Sequence, residues 1–289
     1  MTINKPPLTK KKAKWAKGRS VNLKGNKLIH NVSTQERYAF KLRKLVLQMT
    51  DESKKEIQKL FKLQAITDSA MDANLGSQAR ILLNYLQNKF IKLFGSKAKI
   101  LADQMFNTVD KNSKTQLHSS LKQLTGGLSL KTGIVPKGFE DIANATIAEN
   151  VSLIKSIPQE YFKQITGSVM RSITEGKGLK DLIPEIEKYD GQTARRAKNL
   201  ALDQTRKAYN TINANRLQGL KVTHFEWLHS GGGVSPRESH IKIDGMIFSF
   251  DNLESEQAAA GVPKQDRGLP GIPPNCKCSI QPIIDLSED

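Results

Sequence analysis

Helical periodicity is the feature that most constrains how this chain can fold. Between residues 34 and 217 apolar side chains recur three or four positions apart, which is the spacing of one face of an α-helix. The pattern breaks at Thr50, Pro158 and Gly191, a capping residue, a helix breaker and a flexible residue. It predicts helices around residues 34–49, 51–61, 78–94, 100–124, 142–157, 161–173, 179–189 and 193–217. Stripes of this kind form a packed core, and none of them requires a ligand site.

The last quarter of the sequence has a different period. Residues 222–229 place Phe225 and Trp227 on one face and Glu226 on the other, as a half-buried β-strand does. Alternation resumes in residues 241–243, and Asp244 with Gly245 then supplies a dipeptide that favours a tight turn. The apolar residues 246–250 follow, so the sequence predicts a β-hairpin across 241–250.

Together these patterns predict an α+β protein with a mostly helical N-terminal body and a small C-terminal domain built on a hairpin. Gly126, Gly127 and Pro136 mark a linker between helical parts. The expected organisation is a disordered basic arm (1–33), a helical domain (34–125), the linker (126–138), a helical segment (139–219) and the small α+β domain (220–289).

Charge is distributed unevenly along the chain. The formal net charge is +17, and residues 1–35 contain nine basic side chains and no acidic one. Residues 224–289 reverse the balance, with five basic and ten acidic side chains. A basic segment with few large apolar groups cannot offset its own ordering entropy, and it attracts polyanions such as DNA.

The basic arm is therefore a candidate DNA-binding segment, in which Trp15 could stack on a base. A solvated tail explains the same composition. The residues assigned to DNA binding are Lys10, Lys11, Lys12, Lys14, Trp15, Lys17, Arg19, Lys24 and Lys27. The helix 193–217 offers a second candidate surface, although a solvated helix face accounts for it equally well. Its basic residues are Arg195, Arg196, Lys198, Arg206, Lys207 and Arg216.

The cysteine content indicates a reducing compartment. Cys276 and Cys278 are the two cysteines of the chain, and one intervening residue gives no disulfide framework. The N-terminus lacks the apolar run of a signal peptide, and no stretch of about 18 apolar residues could cross a membrane. We therefore expect synthesis in the cytoplasm and no membrane partner.

Side chains that could catalyse a reaction or bind a ligand are concentrated between His224 and Cys278. Arg237, His240 and Asp244 are spaced to meet at one end of the predicted hairpin, where Asp244 could orient the imidazole and Arg237 could hold a phosphate. Such a group could catalyse acid-base chemistry. It could equally form a structural network that fixes an irregular loop, and the absence of a paired-carboxylate or nucleophile-base motif favours that role. The network is assigned to Trp227, Arg237, His240, Asp244 and Gly245.

Cys276 and Cys278 could place two thiolates on one metal ion. Zinc would need further ligands, and His240 is the first candidate, with His224, His229 and Asp244 as other available types. A single Cys-x-Cys without a second pair is not a zinc-finger spacing, and buried cysteine often packs as a small apolar residue. The sequence favours a protein without a cofactor and leaves zinc as the alternative.

The order of these elements resembles one known family. A tryptophan-bearing strand, Arg237-x-x-His240, Asp244-Gly245 and the segment 273–278 (Pro-Pro-Asn-Cys-Lys-Cys) follow a helix at 201–219. This arrangement, over residues 175–282, is similar to the Mu F-like family of phage minor head (head morphogenesis) proteins. The helix departs from the family pattern, because residues 203–206 (Asp-Gln-Thr-Arg) stand where the family shows an Ala-Arg-Thr-Glu-like segment.

The resemblance implies a minor capsid protein of the virion head, made in the bacterial host cytoplasm. Its partners would be the portal protein, other phage head proteins and packaged DNA, bound without sequence specificity and without a small-molecule substrate. The alternative is a metal-assisted nuclease or other phosphoryl-handling enzyme that uses His240, Asp244 and Arg237. A nucleic-acid-binding protein with no place in a virion is the third possibility.

Overall fold

The computed structural model describes residues 22–66, 72–124, 135–231 and 235–285 of the chain. The secondary structure begins with a short strand, continues as four long helices and ends as a mixed segment, so the α+β prediction is confirmed. The elements are β1 (Asn22–Lys24), α1 (Val32–Ile66), α2 (Asp72–Leu124), α3 (Phe139–Thr174), α4 (Leu179–Gly219), β2 (His224–Leu228), α5 (Glu238–Lys242), β3 (Ile247–Ser249), α6 (Leu253–Ala259), a 3₁₀ turn (Lys264–Asp266) and β4 (Ser279–Asp285).

Each long helix joins segments that the sequence pattern separated, so the helix breaks predicted at Thr50, Pro158 and Gly191 are wrong. Thr50 lies inside α1, where its hydroxyl donates to the carbonyl of Leu47. Pro158 lies inside α3 and Gly191 inside α4. A proline or glycine inside a helix costs about 1 to 3 kcal/mol, and burial of the apolar faces on both sides of these positions outweighs that cost.

The chain divides into two compact units. The helical unit contains Gln35–Met105 and Thr146–Leu202. The sheet unit contains Met1–Thr34, Phe106–Ala145 and Asp203–Asp289. Both predicted helical segments, 34–125 and 139–219, therefore contribute residues to each unit.

The core of the helical unit is aliphatic and aromatic. Phe90 and Phe162 stack with ring centroids 6.2 Å apart, and Tyr161 meets Phe162 edge-on at 5.2 Å. Leu42, Val46, Met49, Leu86, Phe94, Ile154, Ile157, Ile165 and Ile186 are also buried. These are the apolar positions of the helical repeats, as the periodicity predicts.

Four antiparallel strands form the sheet, in the order β1-β4-β2-β3. β4 lies between β1 and β2. Its Ile284 pairs with Leu23 of β1, and its Ile280 pairs with Trp227 of β2. β2 continues to β3 through the pair of Phe225 with Phe248. The same unit contains parts of α2 and α4, whose buried residues include Val109, Leu117, Ile212 and Leu217. α4 contacts the chain just before β4, where the side-chain amide of Asn210 donates to the carbonyl of Cys278.

The predicted hairpin across 241–250 is wrong in its first strand. Residues 238–242 form the helix α5, and β3 pairs with β2 instead. Gly245 does adopt the expected positive φ, 78°, and its N–H donates to the carbonyl of Trp227. Two isoleucines in a three-residue stretch cannot distinguish a strand from a helical turn, and here Ile241 is exposed while Ile243 is buried.

The described part of the predicted basic arm, residues 22–33, is ordered. Residues 22–24 form the edge strand β1, and Leu28 is buried and bridges to Ile280. The N–H of Ile29 donates to Gln116 in α2. Disorder over 22–33 is therefore wrong, because pairing with β4 satisfies the backbone of this segment. Residues 1–21 and 126–134 of the predicted arm and linker lie outside the described residues.

Candidate functional site

A tight turn places the first cysteine. The N–H of Cys276 donates to the carbonyl of Pro273 at 2.9 Å, Pro274 occupies the second position, and Asn275 has a φ of 59° at the third. Proline followed by a residue with positive φ is typical of a type II turn. The N–H of Asn275 donates to the carboxylate of Asp203 in α4 at 2.6 Å, so the helix fixes the turn.

The second cysteine lies on the same side of the chain as the first, just before β4. Cys276 and Cys278 are 3% and 5% exposed, whereas Lys277 between them points outward. Gly271 lies against α4 so closely that a Cβ atom there would stand 2.6 Å from the amide nitrogen of Asn210. The chain leading into β4 therefore packs tightly and presents both sulfur atoms to one small volume.

His240 completes the cluster from α5. Its Nδ1 lies 3.6 Å from Sγ of Cys276 and 3.7 Å from Sγ of Cys278. Its Nε2 lies 2.9 Å from the backbone carbonyl of Asp266, and the ring of Trp227 meets the imidazole edge-on at 4.9 Å. Because the side chain is 2% exposed, these neighbours hold the imidazole in one orientation.

Arg237 ties together the loops around this cluster. Its Nε donates to the carboxylate of Asp266 at 2.8 Å, and its Nη2 donates to the carbonyl of Pro274 at 2.9 Å. Ser239 donates to the other oxygen of Asp266 at 2.9 Å. These contacts connect the start of α5 to the 3₁₀ turn and to the cysteine-bearing turn.

The prediction that Asp244 orients the imidazole of His240 is wrong. The carboxylate of Asp244 accepts a hydrogen bond from the N–H of His229 at 2.7 Å and so closes the end of β2. Among the described residues it is the carbonyl of Asp266 that orients His240. The structure thus brings Trp227, Arg237 and His240 together with the two cysteines, and places Asp244 and Gly245 at the neighbouring turn.

The three buried groups alter one another's protonation. The hydrogen bond from Cys278 lowers the pKa of the Cys276 thiol to about 4, assisted by His240 and by the N–H groups of Gly271 and Cys278 and opposed by burial. The same hydrogen bond, with burial, raises the pKa of Cys278. Burial acts to lower the pKa of His240, but its bonds to Cys276 and to the carbonyl of Asp266 raise it overall. The cluster therefore favours a thiolate at Cys276.

A pocket of about 210 Å³ opens onto the cluster. His229, Ser235, Pro236 and Lys277 contribute to its walls beside the three buried side chains. Two sulfur atoms and one imidazole nitrogen are the donors of a soft-metal site, and a thiolate beside an imidazole is also a reactive pair. Both kinds of chemistry are open to solvent through this pocket.

The basic residues assigned to DNA binding fall into two groups. Lys24 forms an ion pair with Glu226 at 2.5 Å across the sheet, and Lys27 is exposed. The other assigned residues, from Lys10 to Arg19, lie outside the described residues. On α4, Arg195, Arg196 and Lys198 are exposed as expected, whereas Arg206 and Lys207 are half-buried and Arg216 is buried.

Several acidic residues that position this region were missed from the sequence. Asp266 orients His240 and anchors Arg237, Asp203 holds Asn275, and Asp110 pairs with Arg216. Asp266 stands in a turn-rich stretch between Pro263 and Gly268, which is the only signal it gives. None of these spacings belongs to a motif, because each partner comes from a distant part of the chain.

Comparison with known proteins locates a related segment in this half of the chain. Residues 163–281 match the family described as Phage Mu protein F like protein. An uncharacterized protein of Haemophilus influenzae is 28% identical over 293 residues, covering all of this chain and 60% of the relative. The uncharacterized protein YqbB of Bacillus subtilis is 24% identical over 122 residues, or 39% of each chain.

The chain thus spans 60% of the length of the first relative and 39% of the second. No solved structure is significantly similar to it. The matched residues begin within α3, include α4 and the strands β2 and β3, and end within β4. The resemblance read from the order of Trp227, Arg237, His240 and the two cysteines is therefore confirmed, since residues 163–281 are similar to the family described as Phage Mu protein F like protein.

Proposed function

We propose that this chain is a minor head protein of a phage and takes part in head morphogenesis. The observation that carries the proposal is the family match over residues 163–281, which includes His240, Cys276 and Cys278. The matched stretch contains the buried cluster and α4, whose Asp203 fixes the turn before Cys276. A virion location follows from this role.

Within the head, we propose that the chain contacts the portal protein. The C-terminal stretch from residue 224 carries five basic and ten acidic side chains, in a chain whose net charge is +17. A locally acidic surface on a basic protein suits contact with protein better than contact with DNA. We assign the portal-facing surface to this end of the chain. None of the described helices is long and apolar enough to span a membrane.

Non-specific binding of packaged DNA is assigned to the basic N-terminal sequence. Residues 5–19 contain seven lysines or arginines and no acidic residue. This sequence runs directly into β1, which pairs with β4 of the sheet. The pairing would tether a DNA-binding segment to the family-related part of the chain, and phosphate contacts of this kind carry no sequence information.

Co-purification with the portal tests the proposal. An affinity-tagged copy of the chain, expressed with the portal and the other head proteins of its phage, should be recovered with portal-containing proheads. A variant with Asp251 and Glu254 changed to lysine should be recovered with less portal, and a variant with Arg195 and Arg196 changed to glutamate is the two-residue charge control. Recovery with neither portal nor proheads would contradict the proposed function.

The nuclease alternative gains no support from the geometry. It requires His240, Asp244 and Arg237 around one substrate, but Asp244 contacts the backbone of His229, and Arg237 is committed to Asp266 and Pro274. An arginine already engaged by a carboxylate and a carbonyl has fewer donors left for a phosphate. We therefore retain the structural role for these three residues.

A further inference from the structure

We propose that Nδ1 of His240 and the Sγ atoms of Cys276 and Cys278 bind one soft divalent cation, for which Zn²⁺ is the best fit. The three donor atoms lie within 4.8 Å of one another, and all three side chains are buried. The inference goes beyond a role in the phage head, because it concerns what the folded chain binds by itself.

The spacing of the donor atoms agrees with tetrahedral coordination. Zinc binds cysteine sulfur at about 2.3 Å and histidine nitrogen at about 2.0 to 2.1 Å, so a tetrahedral angle separates nitrogen from sulfur by about 3.6 Å. The observed separations from Nδ1 of His240 are 3.6 Å to Cys276 and 3.7 Å to Cys278. One N–H group can point at only one acceptor, whereas a central ion accounts for two equal separations.

The second nitrogen of the imidazole has the partner that a metal ligand needs. Nε2 of His240 lies 2.9 Å from the carbonyl oxygen of Asp266, which can only accept a hydrogen bond. The proton therefore belongs on Nε2, and in the neutral ring Nδ1 carries a lone pair directed toward the sulfur atoms. Metal-bound histidines use the same arrangement, in which a carbonyl or carboxylate fixes the tautomer.

Charge balance also favours a cation at this position. Two thiolates and a neutral imidazole sum to −2, which a divalent ion neutralises. The sulfur atoms are almost completely removed from solvent, and an isolated buried charge is costly. The N–H groups of Gly271 and Cys278 reach Cys276, and that of Ser230 reaches Cys278, as thiolate ligands require.

The surrounding loops hold the donors in place before any ion binds. The type II turn at 273–276 is fixed by Asp203, and Arg237 links the start of α5 to Asp266 and Pro274. The ion would add a cross-link between α5 and the chain entering β4. The fourth coordination position faces the pocket of about 210 Å³, where His229 or a water molecule can supply it.

Metal content of the purified full chain tests the proposal. Protein produced with added Zn²⁺ and purified under reducing conditions should retain about one zinc per chain, as a single structural site does. Replacing zinc with Co²⁺ should give the sulfur-to-cobalt absorption of a thiolate complex. Cys276→Ser and Cys278→Ser should each lose most of the bound metal and that absorption.

His224→Ala is the matched control, because His224 belongs to the same sheet unit but not to the cluster. It should retain zinc at the wild-type level, whereas His240→Ala should not. Since a cysteine variant could misfold, the wild-type chain provides an independent readout. A chelator should lower its melting temperature, and returning Zn²⁺ alone should restore it.

Two results would overturn the proposal. The first is wild-type protein with no more zinc or cobalt signal than Cys276→Ser and a melting temperature indifferent to chelator. The second is a disulfide between Cys276 and Cys278 that persists in the freshly reduced protein and excludes the metal. Neither result bears on incorporation into phage heads, so failure here is distinguishable from failure of the proposed function.

Discussion

Arg216 and Asp110 form an ion pair that joins two long helices inside the sheet unit. The guanidinium of Arg216 is 1% exposed, and it contacts the carboxylate of Asp110, that residue's backbone carbonyl at 3.2 Å and the hydroxyl of Ser113 at 2.8 Å. It also lies over the ring of Phe139 at 5.2 Å. An arginine predicted to contact phosphate is instead a buried structural residue, since the carboxylate and the ring provide its environment.

Removing the carboxylate should therefore destabilise the protein more than removing a surface partner. We expect Asp110→Asn to lower the free energy of unfolding by about 3 to 5 kcal/mol, because it leaves a buried guanidinium uncompensated. The control is Lys114→Ala, which removes the exposed lysine bound to the same carboxylate at 2.8 Å and should cost less than about 1 kcal/mol. Urea denaturation measures both, and equal losses would contradict the assignment.

The His240 cluster gives a prediction that separates a structural role from a catalytic one. In metal-free buffer, His240→Ala should lower the free energy of unfolding by about 1 to 3 kcal/mol, because Asp266 and the cysteines lose a buried partner. His224→Ala should change it by less than about 0.5 kcal/mol. Nuclease activity of the wild-type protein that disappears in His240→Ala at unchanged stability would contradict the structural role.

DNA binding should depend on the basic sequence before β1. If six of its basic side chains contact phosphates, the slope of log K against log salt for duplex DNA should be about −5. Deleting residues 1–20 should remove most of this slope and leave β1 and Leu28 in place. A matched variant with Arg195, Arg196 and Lys198 changed to alanine should retain it. The opposite result would move the DNA contact to α4.

Asp190 should make stability depend on pH. Burial raises the pKa of this carboxyl from 3.8 to about 6, against the opposing hydrogen bond from Tyr161 at 3.0 Å. The folded state therefore holds the proton more tightly, so this contribution is present below about pH 3.8 and lost as pH rises through 6. Because the group is half-exposed, we expect a loss below about 1 kcal/mol.

Asp190→Asn should remove that dependence. The difference in unfolding free energy between wild type and variant, measured by urea denaturation from pH 4 to pH 7, should shift in favour of the variant as pH rises. Glu187→Gln, a change at an exposed carboxyl on the same helix, is the control and should show a smaller change. A difference that stays constant with pH, or favours the wild type, would contradict the raised pKa.

Local patterns could predict the helices and the strand at β2, because burial of one face leaves a period in the sequence. Helix ends could not be predicted in the same way. Pro158 and Gly191 are strong local breakers, yet packing of the residues on either side carries the helices past them. The first strand of the hairpin failed for a related reason, since α5 buries His240 against Trp227, a contact that the local pattern of apolar residues does not reveal.

Only some residues of the site could be predicted from the sequence. His240 and the two cysteines could be selected because few residue types bind metals, and the structure brings all three together. Asp266 could not be selected, because the atom it presents to His240 is a backbone carbonyl, which any residue possesses. Asp203 and Asp110 likewise gain their roles from partners 72 and 106 residues away along the chain.

The most direct test of the account is the amount of this protein in purified phage particles. Quantitative mass spectrometry of particles from the phage that carries the gene should find the chain reproducibly, at a copy number far below that of the major capsid protein. Proheads purified before packaging should contain it as well, and deletion of the gene should reduce the yield of intact heads. Absence from both proheads and particles, with normal head assembly in the deletion strain, would contradict the proposed function.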